Sequence, residues 1–163
     1  NMLRRASREV RVEFSLDLGG EYIRLVSEFL EARPVGEEIR YIFERIPTYV
    51  SAVPSTRVFS ARDGAGRLVA FDVAEFGGRD YAFYQFNFRS RDRHVPGASD
   101  LLLHEVIAAA QQQGKRFLNL GLGINPGVRR FKEKWGGKPF LTYQYCSYAP
   151  GPPPMFDLLL RKL

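Results

Sequence analysis

The side chains able to hold or move charge fall in a few places along this chain. Cations gather at Arg4, Arg5, Arg8 and Arg11, at Arg89, Arg91 and Arg93, and at Arg129, Arg130, Lys132 and Lys134. The formal net charge is +6, a field that draws acidic cofactors, nucleic acid and anionic membrane surfaces. Ordinary solubility accounts for the N-terminal cluster; the other two flank loops that emerge below as candidates for a site. Gln85 and Asn87 interrupt an apolar strand and, by simple alternation, share a face with Tyr81 and Phe83. Such a polar pair is either a satisfied core amide or the wall of a site, and Asn119 in a later strand reads the same way. Asp72 and Glu75 lie on opposite faces of their strand, so that one is expected to meet solvent and the other a cleft.

Other chemistries are poorly supplied. Cys146 has no partner for an internal disulfide, which suits a reducing, cytoplasmic setting, and it reads as a small buried strand residue. Two histidines, His94 and His104, are too few for a structural zinc site. No metal is expected. No apolar run approaches the roughly 18 residues of a membrane-spanning helix.

These residues must be positioned by a folded core, and 45% apolar and 13% aromatic content are globular values. A single domain is expected over residues 1–163, with its core at about 8–149 and a Pro-rich turn and short helix over 150–163. Residues 8–16 alternate as a half-buried strand. Tyr22, Leu25, Val26, Phe29 and Leu30, then Ile39, Ile42, Phe43 and Ile46, have helical spacing, the second helix stopping near Pro47 with a one-turn extension toward Pro54. Three strands follow at 56–62, 67–76 and 80–88, joined by short Gly-rich connections suited to antiparallel hairpins. A loop over 89–98 leads to a long helix ending at Gly114, a strand over 117–122, a helix over 125–135 and a last strand over 140–148.

The stretch 114–137 is the densest in signals. Phe117, Leu118, Leu120 and Leu122 form a short apolar run, and Gly121 and Gly123 punctuate its end, where a backbone or ligand can approach closely. Asn125 can cap a helix with Pro126 at its first position. Val128, Phe131 and Trp135 make one apolar stripe, closed by Gly136 and Gly137.

Asn125, Val128, Phe131 and Lys134 recur every third residue, with Gly136 two further on. This pattern resembles the last conserved segment of the GNAT acyltransferase superfamily, in which an Asn after the fifth strand opens a helix ending in an aromatic residue, Lys and Gly. Phe131-Lys132, Lys134 and Trp135-Gly136 are similar to the Fem-like branch of that superfamily. The element order fits the resemblance over roughly residues 8–149. It implies an α/β (α+β) fold, a mixed, mostly antiparallel central sheet of about six to seven strands flanked by helices.

The resemblance also implies a chemistry: transfer of an acyl group from acetyl-CoA or another acyl-CoA to a small amine or amino-acid acceptor. The loop before the long helix would bind the pyrophosphate of coenzyme A, through Arg93, His94, Val95, Gly97, Ala98 and Ser99, with Asn119 and Asn125 completing the cofactor side. Backbone N–H groups at a helix N-terminus are the physical means. Pro96 removes one such N–H, and Asp100 puts a carboxylate where phosphate would sit, so a plain helix cap is the competing reading. Gln85 and Asn87 then become walls of the substrate site. The family's Tyr general acid is replaced here by Lys132, which could protonate a leaving group only with a lowered pKa. Glu75 is the candidate base and Asn125 the third catalytic candidate. Two alternatives stay open: Fem-like aminoacyl transfer from aminoacyl-tRNA, whose backbone would suit the basic last helix, and a non-catalytic module of the same fold. The apolar segment at 156–160 covers either the fold's own surface or a second copy in a homodimer.

Overall fold

The computed structural model describes residues 2–140 and 142. Eleven elements are present among them: α1 (Met2–Glu9), β1 (Val10–Ser15), α2 (Gly20–Glu31), α3 (Glu37–Glu44), α4 (Ile46–Ala52), β2 (Thr56–Asp63), β3 (Leu68–Glu75), β4 (Tyr81–Arg89), α5 (Ala98–Gln112), β5 (Phe117–Asn119) and α6 (Pro126–Lys134). The strands form one sheet in chain order, antiparallel from β1 to β4 and parallel between β4 and β5. The short hairpins dictate the antiparallel β2–β4 part, β1 pairs with β2 across the long α2–α4 connection, and the parallel pair needs the crossover that α5 supplies.

Alternation along β3 divides the core. Phe71 and Val73 face α2 and α4 together with Leu25, Ile46, Val50 and Phe88, whereas Ala70 and Ala74 face α5 with Phe59, Leu102, Leu103 and Val106. Helices on both faces explain why β3 is buried nearly end to end. Phe71, Phe88, Phe29 and Phe43 pack as a ring cluster with centroids 5.2–5.8 Å apart, the spacing that edge and offset contacts favour. Arg62 joins β2 to β1 through Glu13 at 2.9 Å and to α2 through Glu21.

The mixed sheet flanked by helices is the architecture expected, with five strands among the described residues rather than six or seven. The strand expected over 140–148 falls almost wholly outside those residues, as do the helix after it and Cys146. Four local differences have physical causes. Residues 2–9 form a helix, because Ala6 packs at 0% exposure and Leu3 joins the α5-side core while the arginines stay outside. Pro47 opens α4 rather than ending a helix, since a first-turn proline loses no hydrogen bond. β5 stops at Asn119 because Gly121 turns the chain at φ +67.

The fourth difference is a β-bulge in β4. Val73 pairs with Phe86 but Ala74 with Tyr84, which leaves Gln85 as the extra residue. Simple alternation therefore fails beyond it. Phe86 and Phe88 pack toward α2–α4, and Asn87 turns to the α5 face with Tyr84 instead of sharing a face with Tyr81 and Phe83.

Candidate active site

β4 and β5 are paired only over Tyr81↔Phe117, Ala82↔Leu118 and Phe83↔Asn119. Beyond that rung β4 runs on to Arg89, while β5 ends and Gly121 bends the chain away. A slot opens there, with β4 as one wall. The Asn119 side-chain Oδ1 accepts from the Gly121 N–H at 2.7 Å and fixes the bend. α6 returns over it, started by the Asn125 side chain accepting from Val128 N–H at 2.9 Å. Phe131 and Trp135 anchor the helix to the core, which brings Lys132 round to the slot. Its Nζ donates to the Leu122 carbonyl at 2.6 Å and lies 3.8 Å from where a side chain on Gly121 would begin. Burial lowers the Lys132 pKa, because desolvation disfavours the ammonium form. Beside it, Gly123, Ile124, Asn125, Pro126, Arg129 and Arg130 line an open cleft of about 450 Å³.

On the α5 face, Asp72 is fully buried and accepts from Asn87 Nδ2 at 2.5 Å; the same nitrogen is 3.4 Å from Ser99 Oγ. Burial pushes the Asp72 pKa up to about 8, against which the Asn87 and Tyr84 hydrogen-bonding groups act only partly. Asp72 Oδ2 and the Tyr84 hydroxyl have no hydrogen-bond partner among the described residues. The two groups are near enough for the carboxyl to add to the upward shift that burial gives Tyr84, yet short of a formed hydrogen bond. Above them Asp100 accepts from Lys134 Nζ at 2.6 Å and from the Trp135 indole at 2.8 Å, tying α6 to the first turn of α5.

On the α2–α4 face, Glu75 Oε1 accepts from Ser55 Oγ at 2.6 Å and from Gly77 N–H at 2.5 Å. Tyr49 sits close by, its pKa raised by burial and by the Glu75 charge, with Gln85 as hydrogen-bonding neighbour. Glu75 pairs across the ladder with Phe83, the last β4 residue joined to β5. Asn119 and Lys132 thus lie by the chain where it leaves β4, Asn87 lies farther along β4 beside Asp72 and Ser99, and Glu75 lies beside Ser55 and Tyr49.

Comparison with solved structures identifies the architecture. A ribosomal-protein-alanine N-acetyltransferase from Brucella melitensis biovar Abortus 2308 superposes with TM-score 0.65 at 15% identity, over 86% of this chain and 99% of that one. A GNAT-family acetyltransferase from Streptococcus pneumoniae TIGR4 gives 0.62 at 12% identity over 86% and 99%. The fold is that of the GNAT acyltransferases. AAC(6')-Iy, solved with the bisubstrate analogue CoA-S-monomethyl-acetylneamine, has the same GNAT fold, with TM-score 0.60, 10% identity and coverage of 86% and 99%. No family model matches the sequence, and no curated protein matches it.

In a GNAT fold the turn before α5 is where the sequence resemblance puts a pyrophosphate. Here that turn is closed. Gly97 takes the left-handed φ of +83, and a Cβ added to it would lie 2.8 Å from Met2 Cγ and 3.3 Å from Ala6 Cβ. α1 therefore covers the ground where an anion would approach. Pro96 offers no N–H, and the Val95 carbonyl takes that of Ala98 at 3.2 Å. Arg93 Nε points to the Leu68 carbonyl at 3.4 Å, and His94 meets Arg89 at 3.4 Å. The residues of this turn do not fit a coenzyme A pyrophosphate in the arrangement described.

Three features escaped sequence reading. Asp72 was expected to meet either solvent or a cleft and instead lies sealed under α5; its two small neighbours, Ala70 and Ala74, were the available signal. Asp100 reads as a helix-dipole acid but works as a double acceptor for α6. Tyr49 lies in the extension expected toward Pro54, which forms α4, but no spacing pointed to its place beside Glu75.

Proposed function

We propose that this protein is an N-acyltransferase that holds an activated acyl carbonyl in the β4–β5 slot and passes it to an amine. The observation carrying this reading is the end of the ladder at Phe83↔Asn119 with the half-buried Lys132 ammonium just beyond it. The acceptor nitrogen attacks the carbonyl carbon, a C–N bond forms, and backbone donors along β4 stabilise the developing oxyanion. As the tetrahedral species collapses, the bond to the leaving sulfur or oxygen breaks and Lys132 gives that atom a proton. A lowered pKa makes Lys132 a stronger acid than an exposed lysine. Glu75, held by Ser55 and Gly77, takes the proton that the amine sheds, with Gln85 and Asn87 walling the acceptor and donor sides. Asn125 serves this arrangement as the cap of α6.

An acyl-CoA is the donor that the fold relatives support, since AAC(6')-Iy binds a coenzyme A analogue. A specific observation favours a second reading: with the turn before α5 covered by Met2 and Ala6, a donor lacking a pyrophosphate is better accommodated. Aminoacyl-tRNA, as in the Fem-like branch, fits that requirement, and Arg129 and Arg130 beside the open cleft suit a phosphate backbone. The test is single-turnover transfer from radiolabelled acetyl-CoA or charged tRNA to a panel of amines and amino acids. Transfer from either donor that falls about a hundredfold in Lys132→Ala supports the reading. No transfer from both, or an undiminished rate in Lys132→Ala, overturns it.

A further inference from the structure

We propose that Asp72 is a positioning residue that locks the Asn87 amide so that its carbonyl oxygen faces the slot and accepts a hydrogen bond from an N–H group of the acyl donor. The proposal rests on the slot being the acyl-donor site. Its first support is the bulge. With Gln85 as the extra residue, Asn87 swings to the α5 face and comes opposite Asp72 in the ladder. The second is the use of Asn87 Nδ2, which has Asp72 Oδ1 at 2.5 Å and Ser99 Oγ at 3.4 Å. The two ends of an amide point about 120° apart, so an inward nitrogen leaves Oδ1 outward. Asn87 is exposed and lies on β4 past the last rung shared with β5. Its Oδ1, which has no partner among the described residues, therefore borders the length of β4 not paired with β5.

Asp72 is a costly choice for a strand position flanked by Ala70 and Ala74. Sealing a carboxyl under α5 forfeits its hydration, and an alanine or valine would pack there without that penalty. What the acid adds is directionality. Burial keeps it protonated at neutral pH, so it has one carbonyl oxygen and one hydroxyl. Oδ1, the atom facing Asn87, acts as acceptor; Oδ2 carries the proton toward the Tyr84 hydroxyl, the other unpartnered atom of the group. The remaining charged groups around the cluster are Asp100 on α5 and its partner Lys134 on α6. On β2 the residue paired with Asp72 is Phe59, with Ala61 beside it in the same α5-side core and Arg57 at the next position on that face.

Three variants separate positioning from plain stability. Asp72→Asn retains a carbonyl oxygen for Asn87 and offers an N–H toward Tyr84, copying the neutral acid. Asp72→Val fills the space and supplies neither. Asn87→Ala removes the acceptor itself. Donor KM should stay near wild type in Asp72→Asn and rise about tenfold in Asp72→Val and Asn87→Ala, the weight of one hydrogen bond. The Asp72→Val/Asn87→Ala double variant should be no worse than either alone, with kcat little changed throughout. Additive effects, or a wild-type KM in Asp72→Val, overturn the proposal. A second arm needs neither donor nor variant: the side-chain amide of Asn87 followed by ¹⁵N NMR in the free wild-type protein. Two sharp, slowly exchanging Nδ2 protons support the lock, and an averaged, fast-exchanging pair refutes it. Because this signal is independent of transfer, failure of the lock and failure of the acyltransferase reading are told apart.

Discussion

Replacing Asp72 by Asn should stabilise the protein by an amount that grows with pH. Asp72 is sealed beneath α5 with one oxygen unpartnered, and its pKa stands at about 8 instead of the usual 3.8. The sign follows from proton binding. Below pH 3.8 the folded and unfolded chains both carry the proton, and no ionisation penalty acts. Between that value and about 8 the unfolded chain releases the proton while the folded chain keeps it, so stability falls as pH rises. Above 8 both forms are ionised and the loss levels off. At about 1.4 kcal/mol per pH unit, the advantage of Asp72→Asn should widen by about 4 kcal/mol between pH 5 and pH 8. Urea unfolding of both proteins at several pH values measures this directly, the slope m showing that the same surface is exposed in each. A difference that is flat across this range, or that shrinks as pH rises, would refute the sealed-carboxyl argument.

Other outcomes follow from single contacts. Trp135→Phe removes the indole donor to Asp100 and should cost about 1–2 kcal/mol of stability, since the remaining carboxylate stays half-satisfied; denaturant midpoints test it. Asn125→Ala deletes the cap on Val128 N–H and should cost about 1 kcal/mol, with transfer reduced only as far as α6 frays; amide exchange of residues 126–130 reports the fraying. Gly97→Ala combines left-handed backbone strain with a Cβ only 2.8 Å from Met2 Cγ, so it should lower the melting temperature and raise amide exchange in α1. A variant as stable as wild type would mean that α1 does not rest on this turn.

What the sequence made legible was set by periodicity and punctuation. The alternation of β3 and the Gly-rich hairpins are local signals, and they placed three central strands correctly. Asn125, Pro126 and the Val128–Phe131–Trp135 stripe announced α6 because capping and amphipathic spacing act within a few residues. The bulge at Gln85 could not be read, since it depends on the register β4 adopts against β3, and it reverses the face of Asn87. The burial of Asp72 was equally hidden: its environment is assembled from β4 and α5, far along the chain. α1 went unrecognised because its arginines dominate its composition, and its small apolar face of Leu3 and Ala6 gains meaning only against the turn at Gly97.

The slot is tested most directly by titrating ¹⁵N-labelled protein with a short, non-transferable acyl thioester analogue, one that needs no pyrophosphate site. Chemical-shift changes concentrated at residues 83–88 on β4 and at Asn119, Gly121, Leu122 and Lys132 are the expected result. Changes confined to other surfaces, or none at millimolar analogue, would contradict it.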